Sequence, residues 1–134
     1  MASVPVYQLE IRSSEDVVRV RQLTREGALA QGFSLVDQTK LVTAASELAR
    51  NTLEHGGGGE VEIKLVNDGG KKGLRLVFND KGPGIPNVEQ ALKDGFTTGG
   101  GLGLGLGGAR RLSNEFSIES KPGEGTRITM ARWR

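Results

Sequence analysis

Cysteine is absent from the 134 residues, which excludes disulfides, thiol nucleophiles and cysteine-held metals. Aromatic residues make up only 4% of the chain, so bases of a nucleic acid would find few stacking platforms. Charge of one sign is not in excess either. The 18 Lys and Arg and 16 Asp and Glu leave a net +2 and are scattered, as on a solvated surface rather than a polyanion-binding stripe. No apolar run approaches the ~20 residues of a membrane span, and the N-terminus shows no secretory apolar core. The expectation is one soluble, cytoplasmic domain over residues 1–134, with no nucleic-acid and no membrane partner.

Glycine is what the chain has in plenty, 21 residues in all, and seven of them fall within residues 97–108. Glycine at that density lets a backbone approach a ligand closely and present successive N–H groups to it. A helix predicted over 104–112 follows directly, adding unpaired amides that suit a phosphate. A flexible linker is the plainer alternative, but Leu102, Leu104 and Leu106 at every second position are too apolar for one.

The rest of the chain reads as segregated strands and helices. Alternation predicts strands over 4–11, 60–67 and 74–79, the last two joined by a hairpin at 68–71, and a closing hairpin of 115–120 with 126–133. Helical spacing predicts a helix over 17–30 behind an N-cap at Ser13 or Ser14. A second helix opens at Ser34 with Asp37 three residues on and runs to about His55. A short helix over 88–94 is capped by Asn87. Strands and helices that do not alternate favour an α+β sandwich over a doubly wound parallel sheet.

Two familiar phosphate loops fail to fit. A Walker loop needs a lysine after its last glycine, and none occurs between Asp94 and Lys121. Gly103-x-Gly105-x-x-Gly108 matches the dinucleotide fingerprint as a string, but no buried strand precedes it. The second helix offers a better partner. On a helical wheel Leu41, Ala45, Leu48 and Thr52 centre an apolar arc with Ala44 and Val42 at its shoulders. Glu47 and Asn51 lie together on its rim, one turn apart. An amide oxygen there can meet a hard cation, and a carboxylate can polarise a hydroxyl. A solvated polar edge is the plainer reading of that pair. Asp80 ends an apolar strand before Gly82-Pro83-Gly84. Its carboxylate can accept from an exocyclic amine while the two glycines admit a flat base. Taken singly, that segment and Gly123-Glu124-Gly125-Thr126 are ordinary turns.

Together and in order, Glu47-x-x-x-Asn51, Asp80-x-Gly82-x-Gly84, Gly101-Leu102-Gly103-Leu104 and Gly125-Thr126 resemble the N box and glycine boxes of the gyrase–Hsp90–histidine kinase–MutL ATP-binding superfamily. Within it the chain is similar to the small anti-sigma-factor serine/threonine kinases, above all the switch kinase of bacterial stressosomes. Residues 46–51, 70–74, 80–86 and 94–98, Arg111-Leu112 with Glu115-Phe116-Ser117, and Trp133-Arg134 carry that likeness. The resemblance implies a two-layer α/β sandwich of the Bergerat type, with helices on one face of a mixed, mainly antiparallel sheet. It implies ATP and Mg²⁺ as cofactors, Glu47 as catalytic base, and Asn51 as magnesium ligand. Asp80 would take the adenine amine with Gly82, Gly84 and Thr126 nearby, and Gly101, Leu102, Gly103, Leu104 and Gly105 would wrap the phosphates. Its substrates would be STAS-type antagonist and scaffold proteins. A PP2C-type phosphatase would be the partner activated on release, and a sigma factor is a further candidate partner.

The alternative function is a nucleotide-dependent binding module with little catalysis, although a purely regulatory domain has no need of Glu47. Thr98 abuts Gly99 without the longer lid of many relatives, so weak ATP affinity and fast exchange are expected. Gly105, Gly107 and Gly108 each weaken a helix by up to about 1 kcal/mol against alanine, so its start is expected to await the phosphates. The single histidine, His55, continues the Glu47–Asn51 line by one more turn, and a cap or solvated role is expected of it.

Overall fold

Two serines set the helical layer. In the computed structural model, which describes residues 2–93 and 105–134, Ser13 is extended and its Oγ accepts from the Asp16 N–H at 3.4 Å. Asp16 in turn accepts from the Arg12 N–H at 2.9 Å, a reciprocal cap that starts α1 (Ser14–Ala30). Ser34 does the same for α2 (Leu35–Glu54), accepting from the Asp37 N–H at 3.2 Å. The predicted wheel of α2 holds: Leu41, Ala44, Ala45 and Leu48 are fully buried, and Thr52 is 1% exposed. α1 offers Val17, Val20 and Ala28 to the same core. Gly27 lets α1 sit close, since a Cβ there would meet Leu74 Cδ1 at 2.9 Å.

The strands are β1 (Ala2–Ile11), β2 (Gly59–Asp68), β3 (Lys71–Asp80), β4 (Glu115–Lys121) and β5 (Gly125–Trp133), in the spatial order β1-β2-β3-β5-β4. Every pairing is antiparallel, so among the described strands the sheet lacks the parallel component the resemblance anticipated. For β1 and β2 the connection explains this. α1 and α2 form an antiparallel pair between β1 and β2, which returns the chain to the end of the sheet it left, with Ile11 opposite Gly59. Two short helices, α3 (Val88–Ala91) and α4 (Gly105–Arg111), lie between β3 and β4. α3 stops after one turn, short of the predicted 88–94: the Lys93 N–H bonds Gln90 O at 3.1 Å, a tightening that closes it.

The helices cover one face of the sheet, where Ile63, Leu74, Leu76, Phe78, Ile128 and Met130 meet α1 and α2. Such one-sided cover is natural to an antiparallel sheet. The opposite face carries polar pairs, among them Lys64 with Glu62 at 3.1 Å and Trp133 Nε1 donating to Glu115 at 2.8 Å. Among the described residues no helix is long and apolar enough to cross a membrane.

Arg132 on β5 ties the two layers. Its guanidinium donates to the Leu112 carbonyl at 2.8 Å and to Asp37 Oδ1 at 2.9 Å. The hydrogen bond from Arg132, with its charge, holds the Asp37 carboxyl below the usual aspartate range. A depressed carboxyl adds stability that is complete above its unfolded value, near about pH 4, and is lost as pH falls through the folded value. Thermal melts from pH 6 to pH 2 are therefore expected to fall more steeply for the wild type than for Asp37→Asn. Parallel curves would remove this contribution.

Candidate functional site

The end of the sheet where β1 stops, β2 starts, β3 stops and β5 starts collects the predicted polar residues. α2 arrives there with Glu47 and Asn51 on adjacent turns. Glu47 is 7% exposed, and Asn51 is half-buried. The Asn51 side-chain nitrogen is buried and has no hydrogen-bond partner among the described residues. A buried polar atom left so costs about 1–3 kcal/mol, which makes this amide a group awaiting a partner. Its oxygen and nitrogen exchange by a half-turn, so either end can face a ligand.

The Asn51 carbonyl accepts from the N–H of His55 at 2.9 Å and of Gly56 at 3.2 Å, closing the helix. Gly56 then lies directly on Asp80: a Cβ at Gly56 would stand 2.4 Å from the Asp80 carboxyl carbon. Asp80 is 9% exposed, and its Oδ1 accepts from the Gly82 N–H at 2.9 Å. A carboxylate fixed by one oxygen is oriented to receive a donor at the other. Gly82 is pressed on Gly56 as well, with a Cβ there 2.7 Å from the Gly56 carbonyl oxygen. Glycine is needed at 56 for the Asp80 side chain to pack there, and at 82 for backbone to approach backbone.

Thr126 stands opposite Asp80 in the β3–β5 register. Its hydroxyl lies 2.9 Å from Ser120 Oγ, which accepts from the Ile85 N–H at 2.7 Å. An open depression of about 570 Å³ lies at this end of the strands, lined by Asn79, Asp80, Ser120, Glu124, Thr126 and Arg127 among others, and α2 contributes nothing to its wall. Ser120 was missed by sequence reasoning. The available signal was a lone hydroxyl ending the inward alternation Phe116, Ile118, Ser120.

His55 is the cap of α2, as expected, but its ring is not merely solvated: Nε2 lies 2.9 Å from the Gly84 carbonyl oxygen. Of the predicted phosphate loop, Gly101, Leu102, Gly103 and Leu104 lie outside the described residues, as do Thr97 and Thr98. Gly105 opens α4, whose Leu106, Gly107, Gly108 and Ala109 are buried. From Gly105 onward the helix is formed. Gly107 has a packing reason, since a Cβ there would stand 2.1 Å from the Leu92 carbonyl. The Asn51 amide and Asp80 carboxylate thus sit at one end of the molecule, joined through Gly56.

No group of three or more His, Asp or Glu residues is gathered for a metal among the described residues. A cation here would draw on the Asn51 amide, ligand oxygens and water, which is the habit of Mg²⁺ on a phosphate substrate. The residues present fit that group.

Residues 36–134 match the family described as histidine kinase-, DNA gyrase B- and HSP90-like ATPase. The chain is 48% identical over 125 residues to the serine/threonine-protein kinase RsbT of Bacillus subtilis, covering 93% of this chain and 94% of that one. It is 33% identical over 119 residues to an anti-sigma F factor of Bacillus licheniformis, covering 83% and 80%. The crystal structure of the RsbU and RsbW domains of a Mycobacterium tuberculosis protein superposes with a TM-score of 0.68 at 24% identity, over 98% of this chain and 33% of that chain. That last likeness is one of fold.

Proposed function

The chain belongs to the histidine kinase-, DNA gyrase B- and HSP90-like ATPase family and is an ATP-dependent serine/threonine-protein kinase; from there we propose its substrates and the work of its residues. Residues 1–134 act as one ATP-binding domain in the cytoplasm. It phosphorylates a serine or threonine of STAS-type antagonist and scaffold proteins in a stress-responsive partner switch. Once released, it activates a PP2C-type phosphatase.

One observation supports the site reading: the Asp80 carboxylate packs on Gly56, which brings the end of the helix bearing Glu47 and Asn51 beside the loop bearing Gly82 and Gly84. There Asp80 accepts from the adenine amine while Gly82, Gly84 and Thr126 surround the base. Gly101, Leu102, Gly103, Leu104 and Gly105 wrap the phosphates with backbone N–H groups. Asn51 would hold Mg²⁺ through its side-chain oxygen, and the ion would neutralise charge on the β and γ oxygens. Glu47 takes the proton of the incoming hydroxyl. The acceptor oxygen bonds to the γ-phosphorus as its bond to the β-bridging oxygen breaks, and ADP leaves.

Transfer of label from γ-labelled ATP to a purified STAS protein, with the acceptor residue mapped, tests the reaction. Failure of transfer to every candidate STAS protein, with nucleotide bound, would return the chain to a binding module. The roles separate by binding. Asp80→Asn replaces an accepting oxygen by an N–H₂ group facing the amine. It is expected to weaken ADP and ATP alike by roughly 10- to 100-fold, the worth of a charge-assisted hydrogen bond. Asn51→Ala is expected to weaken ATP only where magnesium is present and to leave binding in chelator unchanged. A magnesium-independent loss would remove Asn51 from the ion.

A further inference from the structure

The loop between β3 and α3 is pinned residue by residue. The Gly82 N–H donates to Asp80 Oδ1 at 2.9 Å, and the Pro83 carbonyl accepts from the Gly123 N–H at 2.8 Å. The Gly84 carbonyl lies 2.9 Å from His55 Nε2, and the Ile85 N–H donates to Ser120 Oγ at 2.7 Å. Four consecutive residues are thus fixed from four places: the end of β3, the β4–β5 turn, the end of α2 and strand β4. Only one of the four comes from the helix that bears Glu47 and Asn51. A carbonyl can only accept, so His55 Nε2 carries the hydrogen and donates it.

We propose that His55 is a positioning residue: its Nε2–H bond to the Gly84 carbonyl registers the base-binding loop against α2. This rests on the nucleotide-site reading above. Gly84 leaves the loop little other choice. Its φ is +82°, and on its other side a Cβ would stand 2.4 Å from the Lys121 carbonyl. The contact of Gly82 with Gly56 is backbone against backbone, which limits approach without fixing direction. The hydrogen bond from His55 supplies the direction. The ring reaches Gly84 because Asn51 accepts the His55 N–H and holds the residue at the helical end, φ −84° and ψ −42°.

The test compares three variants with the wild type by calorimetric titration of ADP and of ATP with magnesium. Glutamine carries an N–H donor at about the reach of Nε2, and leucine fills space without one. His55→Ala and His55→Leu are expected to bind both nucleotides about tenfold more weakly, and His55→Gln to stay within about threefold of the wild type, with kcat at saturating ATP little changed in all. Nucleotide-free hydrogen exchange at the Gly82 and Ile85 amides should quicken in His55→Leu and not in His55→Gln, while β2 and β3 stay protected. If alanine fails to fold, the glutamine–leucine pair decides. Equal affinities for glutamine and leucine, a loss confined to ATP, or unchanged loop exchange would overturn the proposal. A wild type that binds no nucleotide overturns the site reading, and unchanged loop exchange overturns this one alone.

Discussion

Glu47→Gln is expected to lower kcat for phosphotransfer by roughly 10²–10⁴-fold, the usual worth of a positioned general base. Glutamine keeps the volume and the hydrogen-bonding length of the side chain but cannot take a proton. The residue is 7% exposed on a helix whose buried face is fixed by Leu48 and Ala44, so neither fold nor cleft needs to rearrange. Nucleotide affinity and melting temperature should match the wild type. That separation gives the experiment its force, because a defect of folding or binding lowers all three readings together. Single-turnover transfer at wild-type rate would strip Glu47 of its role, and loss of ATP binding would make it a structural residue.

Gly125→Ala is expected to cost about 4 kcal/mol of stability, a large part of the 5–15 kcal/mol a domain commonly holds. Two faults add. The residue has φ +105°, where a side chain is strained, and its Cβ would stand 2.1 Å from the Asp80 carbonyl oxygen. Gly123 is the control: its φ is +78°, but a Cβ there meets nothing within 4 Å. Gly123→Ala should therefore show the strain alone, about 1 kcal/mol. Denaturant unfolding of the pair measures the difference. If the two variants unfold alike, the clash with Asp80 is relieved by small shifts and the strand start is softer than its packing implies. Where Gly125→Ala still folds, nucleotide affinity should drop with it, since the backbone it displaces is that of Asp80.

Much of this was legible in the chain because it depended on near neighbours. Ser13, Ser34 and Asn87 cap the helices they were expected to cap. The wheel of α2 placed Leu41, Ala45, Leu48 and Thr52 inside, because a 3.6-residue period with one apolar arc has one way to pack. Asp80 at a strand end before two glycines was visible as a turn with a carboxylate. What escaped depends on register between distant segments. No local pattern brings His55 to Gly84, 29 residues on, or Ser120 to Ile85, 35 residues back. The glycines at 107 and 108 look like helix breakers in a string. In space Gly107 is the point at which α4 passes the Leu92 carbonyl. The antiparallel pairing of β1 with β2 follows from the pairing of α1 with α2, which a list of elements does not contain.

From Glu47 to His55 the axis of α2 rises about 12 Å, at 1.5 Å per residue. On the proposed roles one helix carries the base that meets the reacting hydroxyl and, through Gly84, sets the loop that holds the heterocycle, so it works as a gauge of molecular length. A diphosphate held by its base stops short of Glu47, and a tetraphosphate held the same way carries its terminal phosphorus past it.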